Sequence, residues 1–165
     1  MKKYLAFLLI LATQVIAADL VPKNTVLPDR DILLSRFDKL GIVKSNAWRE
    51  GKIIEGKPVL TTRDGGDLYM INNKSLSSMS ITEGEKPHVE AIHAASLCFN
   101  IAYVATDTKS KDVTQAVTDI IEEAANDKSG SSGDLINGYW FTVDIKHIDK
   151  FPMLVCEVSG FTRWD

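Results

Sequence analysis

The chain is predicted to fold as a single α+β domain: a mainly antiparallel sheet, made of a four-strand meander and a C-terminal hairpin, with two to three helices packed on one face. Three observations lead there. Between residues 47 and 82, short apolar and β-branched segments alternate with turn residues. Residues 87–106 are apolar nearly all round, which marks a buried helix. Residues 139–145 set Tyr139, Phe141, Val143 and Ile145 against Trp140, Thr142 and Asp144, as a strand with one buried face does, and residues 153–158 read as its partner strand.

Taken in order, the first seventeen residues place Lys2 and Lys3 before an apolar run and end in Val15-Ile16-Ala17. That pattern predicts a secretory signal peptide cleaved near Ala17, too short to stay as a membrane anchor. Its style points to the periplasm. Residues 18–28, with Pro22 and Pro28, are expected to form an extended leader, and residues 29–165 the domain. Loss of Lys2 and Lys3 leaves 17 basic residues against 22 acidic ones, a formal charge of −5. Such a chain has no bulk attraction for nucleic acid or anionic lipid.

Asp29 is placed to cap a first helix, in which Leu33, Phe37 and Leu40 recur at helical spacing and Gly41 supplies the stop. Four strands follow, over 47–54, 59–62, 68–71 and 76–82, parted by turns at 55–58, 63–67 and 72–75. Serines at 75, 77, 78 and 80 predict that the fourth strand lies at an edge or has a wet face. Pro87 opens the central helix, where its missing N–H is harmless. Val113, Ala116, Val117, Ile120, Ile121 and Ala124 stripe a second long helix over 111–126. Residues 127–134, rich in Ser and Gly, read as a flexible loop, which includes 128–134. The hairpin of 139–145 and 153–158 closes the domain.

An even pair of cysteines in an exported chain predicts a disulfide between Cys98 and Cys156. The competing reading is a thiol hydrolase using Cys98, His147 and an acid such as Asp144. Leu97-Cys98-Phe99 carries no nucleophile signature, and mid-helix placement does not activate a thiol. His88 and His93 stand five apart, about 140° round a helix, and so do not form the four-residue spacing of a zinc-protease helix. Neither a metal nor another cofactor is expected.

Candidate partner-binding residues are Arg63, Asp64 and Asp67 in a polar turn, and Trp48, Arg49, Arg163 and Trp164 near element ends, since Trp and Arg dominate interface hot spots. The acidic helix face of Asp119, Glu122, Glu123 and Asp127 reads as solvated. Together these features predict a small exported binding protein, an inhibitor or immunity-type protein blocking a secreted toxin or cell-wall hydrolase. The other readings are the Cys98/His147 hydrolase and an accessory subunit of an envelope assembly docked by its leader or a sheet edge.

Overall fold

The computed structural model describes residues 24–64 and 66–162. The expected signal peptide, most of the leader, and the candidates Arg163 and Trp164 lie outside these residues. The elements run α1 (Arg30–Lys39), a 3-10 turn (Ser45–Ala47), β1 (Arg49–Ile54), β2 (Lys57–Asp64), β3 (Asp67–Ile71), β4 (Ser75–Ile81), α2 (Pro87–Thr106), α3 (Lys111–Asn126), β5 (Ser131–Ile136), β6 (Tyr139–Ile148) and β7 (Phe151–Ser159).

The strands form one seven-stranded antiparallel sheet in the order β1-β2-β3-β4-β7-β6-β5. The predicted fold class therefore holds, with a third strand added to the C-terminal hairpin. That strand, β5, corrects the expected flexible loop over 128–134: Ser131 to Ile136 pair with β6 from Asp144 to Tyr139. A loop-like composition is overridden here because the free edge of β6 supplies a partner for every second backbone group.

β4 is a second correction. It sits in the centre of the sheet between β3 and β7, and its four serines are buried. Three of the four hydroxyls are satisfied. Ser80 Oγ donates to Asp67 Oδ1 at 2.8 Å, Ser77 Oγ to Glu157 Oε2 at 3.2 Å, and Ser75 Oγ accepts from Asn72 Nδ2 at 2.8 Å. Ser78 Oγ, 2% exposed as a residue, has no partner. Ser78 is directly opposite Cys156, where α2 is bonded to the sheet. A small side chain leaves room for that close approach, at the expense of an orphaned hydroxyl.

All three helices pack on one face. Phe37 of α1 stacks edge-on with Trp48 and Tyr69, with centroids 5.0 and 5.3 Å away. α2 lies over β4 and β7, and α3 over β5 and β6. The core joins Leu33, Phe37, Leu76, Ile101, Val104, Val117, Phe141, Val143 and Val158, each almost fully buried. Cys98 and Cys156 are bonded, with Cα atoms 5.5 Å apart, so the central helix is tied covalently to the central sheet. α2 is long and apolar enough, by length and composition, to cross a membrane. Its burial on the sheet and its bond to β7 account for that composition.

Helix ends are satisfied by several devices. Asp29 is the N-cap of α1, but only its backbone carbonyl takes part, accepting from Leu33 N at 3.1 Å. Gly41, with φ +68°, ends α1 in the left-handed conformation expected of it. Glu90 reaches back to the N–H groups of Lys86 and Gly84, both at 2.8 Å, which hold its carboxyl below the usual range. At the other end of α2, Arg36 Nη1 donates to the carbonyls of Val104 and Ala105, at 2.9 and 2.7 Å. A cation is favourable at that negative helix end. Ser110 caps α3 by accepting from Val113 N at 3.2 Å.

The last part of the leader is not loose. Thr25 forms an antiparallel bridge with Phe161, the two N–H···O bonds being 2.8 and 2.9 Å. Glycine at 160 makes it possible, because a Cβ there would lie 2.5 Å from the Thr25 carbonyl oxygen.

Candidate functional site

The turn singled out between β2 and β3 divides its residues between the two faces of the sheet. Residues directly opposite across a ladder share a face. Asp64 pairs with Asp67, and Asp67 with Ser80; Arg63 pairs with Leu68. Asp67 meets His93 of α2, so both aspartates lie on the helix-bearing side. Arg63 therefore points to the bare side.

On the helix side the two aspartates open onto a cleft of about 440 Å³. Its walls are the β2–β3 hairpin, the 40–43 segment after α1, and one stripe of α2. The polar groups are Asp64, Asp67, Thr62, Tyr69, His93, Ser96 and Asn100, and none of the lining residues is Lys or Arg. Asp67 Oδ2 lies 2.6 Å from His93 Nε2 while its other oxygen accepts from Ser80. With Nε2 engaged, the remaining ring nitrogen of His93 is Nδ1, on a half-exposed side chain.

Deeper in, Asn100 Nδ2 donates to Tyr69 Oη at 2.8 Å. Burial pushes the Tyr69 phenol up to about 12; the Asn100 bond works the other way, and the Asp67 charge adds to the rise. The phenol therefore stays neutral at any physiological pH. His93, Ser96 and Asn100 recur at i, i+3 and i+7, one stripe of α2. Val89 and Ile92 continue that stripe outward at 60% and 58% exposure, leaving two bare apolar side chains beside an acidic cleft.

Scans of family models, curated proteins and solved structures return no match for this chain. The cleft's aspartates stand opposite each other at the hairpin end; Asp67 is met by His93 and Ser80, and Asp64 is exposed.

The remaining sequence candidates fare differently. Trp48, just after the 3-10 turn, is 8% exposed and packs edge-on against Phe37, so its ring belongs to the core. Its indole N–H is buried without a partner. Arg49 is exposed and turned back on its own chain, donating to the carbonyls of Asn46 and Trp48. The thiol-hydrolase set is not brought together. Cys98 is bonded to Cys156, and His147 pairs with Pro152, four residues or about 13 Å along β7 from Cys156. Among the described residues, no three His, Cys, Asp or Glu side chains are grouped to hold a metal.

His93, Tyr69, Asn100, Val89 and Ile92 were missed as site residues. His93 gave a weak signal, one of a few polar side chains on a mostly apolar helix. The others gave none, since only folding brings α2 beside β3.

Proposed function

We propose that this is a small exported binding protein of the inhibitor or immunity type, and that the acidic cleft receives a lysine or arginine side chain from a partner such as a secreted toxin or cell-wall hydrolase. The observation that carries this reading is the pair Asp64 and Asp67, opposite each other in a cleft whose lining holds no Lys or Arg and whose one imidazole, His93, is already engaged by Asp67. A cation placed between them would turn a like-charge pair into two charge-assisted contacts. Val89 and Ile92 would supply the apolar rim that excludes water around such a contact. The Cys98–Cys156 bond supports an oxidising compartment, and the periplasm is the site of action we propose.

The test is binding to, and inhibition of, a panel of purified secreted hydrolases and toxins, with wild type and Asp64→Asn/Asp67→Asn. Submicromolar binding to one enzyme, weakened about 30-fold or more by the double substitution, is the expected result, since truncating one side of a buried charge pair is worth about 2 kcal/mol or more. Failure to bind any candidate, or binding indifferent to the substitutions, would remove this reading.

An accessory role in an envelope assembly is favoured by one other observation. β1 is an edge strand exposed along its whole length, with Ile53 and Ile54 bare. It is a template for strand addition. Fractionation with a large envelope complex, lost when Ile53 is replaced by Pro, would select this role over inhibition.

A further inference from the structure

The side of the sheet away from the helices has no layer over it among the described residues. One row across it can be read directly from the registers. Arg63 is opposite Leu68, Leu68 opposite Met79, Met79 opposite Val155, and Val155 opposite Asp144. The row runs from β2 to β6 with three apolar side chains between a cation and an anion. Along β7 on the same face, Met153 widens the apolar centre on one side, while Glu157, opposite Ser77 and Thr142, makes the other side polar. Methionine is adaptable and frequent at such contact surfaces.

The row is self-complementary. Met79 is its midpoint, with two residues on either side. A twofold axis parallel to the strands through Met79 lays a second copy face down on the first. That operation sets Leu68 over Val155 of the second copy, and Arg63 over Asp144 of the second copy, twice. Twisted sheets pack about 30° from parallel and about 10 Å apart. Each charge stands about 10 Å from the axis, two strand spacings, so the angle offsets the pair by about 5 Å, within reach of an arginine side chain.

Arg63 is the freer of the two charges, and Asp144 would exchange a weak pair for a new one. Arg63 is exposed and makes no ion pair among the described residues. Asp144 accepts from Ser131 Oγ at 2.5 Å and faces Lys146 Nζ at 3.4 Å, a half-exposed pair of little worth. The face measures roughly 30 by 20 Å, seven strands by six residues, or about 600 Å² per copy. The total of about 1,200 Å² is the lower end of a specific interface.

We propose that the bare face of the sheet is the dimer interface of this protein, two copies stacking their sheets about an axis through Met79 and pairing Arg63 with Asp144 across it. The dimer has four layers, helices outside and sheets inside, and both acidic clefts remain open on its outer sides. The proposal stands or falls independently of the cleft's function.

Sedimentation of the purified protein from about 1 to 200 µM tests it. A monomer–dimer equilibrium in the micromolar range is expected. Arg63→Asp and Asp144→Arg should each weaken it at least tenfold, and the two together should return it to within a few-fold of wild type. Met79→Lys should leave monomers. Circular dichroism and thermal melting show whether each variant is folded, and the two charge variants sit on the surface where folding is least affected. A monomer at 200 µM overturns the proposal. So does a dimer indifferent to Met79→Lys or to Arg63→Asp, and so does a double variant no better than the single ones.

Discussion

Tyr69 carries the clearest titration in the molecule. Its phenol is pushed to about 12 by burial first. A folded pKa above the unfolded value of about 10 means the neutral form is favoured by folding. The contribution is fully present below pH 10 and is lost as pH rises to 12. Two units correspond to roughly 2–3 kcal/mol. Urea melts at pH 9 and pH 12 should therefore show a larger loss for wild type than for Tyr69→Phe; equal losses would mean the phenol is not shielded. At the C-terminal end of α2, Arg36 holds two of the helix's last carbonyls. Arg36→Ala should lower stability by about 2 kcal/mol, because charged donors to backbone oxygens are worth about 1.5–3. A change within 0.5 kcal/mol by chemical denaturation would show that water replaces the guanidinium without loss.

Among the elements, α1, α3 and the strands of the meander were legible because each repeats at its own period: Leu33 and Phe37, Val113, Val117 and Ile120, and Tyr69 and Ile71 mark faces that are buried. β5 was not legible. Ser131, Ser132 and Gly133 have no strand propensity, and the strand exists because β6 offers an edge. β4 was legible as a strand but not as a central one, since a serine reveals nothing about whether a carboxylate waits opposite it. Two of the cleft's seven polar groups were singled out, Asp64 and Asp67. His93 and Asn100 could not be, because they lie 26 and 31 residues from Asp67 and Tyr69. The tie between α2 and β7 was legible from the cysteine count. It closes a loop of 58 residues. Replacing both cysteines by Ala should cost about 4 kcal/mol on the chain-entropy account, read from denaturant midpoints; a loss below 1 kcal/mol would mean the unfolded chain is already compact. Gly160→Ala should displace the segment around Thr25 and lower stability by about 1–3 kcal/mol, the usual range for an added carbon without room. Faster exchange of the Thr25 and Phe161 amides would locate the effect.

At the scale of the molecule, the two faces of the sheet divide the labour. One holds the helices, the disulfide and the cleft. The other has no layer over it among the described residues, with Leu68, Met79 and Val155 between charges of opposite sign. A protein whose partner site and self-association site lie on opposite faces can carry two partners at once. In the proposed inhibitor reading, light scattering of the complex should then give two copies of the enzyme per dimer; one enzyme per dimer would place the cleft too close to the twofold axis.

The seam between β4 and β7 carries a consequence in time. Leu76 faces Val158, and Ile81 faces Met153, so the middle of the sheet is closed by strands more than seventy residues apart. Neither half can bury its inner face until the other arrives, and non-local pairings of this kind form slowly. The hairpins of β1 to β3 can zip early, but the cooperative step waits for the final strand. A chain stopped before residue 151 would keep both half-sheets open at the centre, with Leu76 and Phe141 in water.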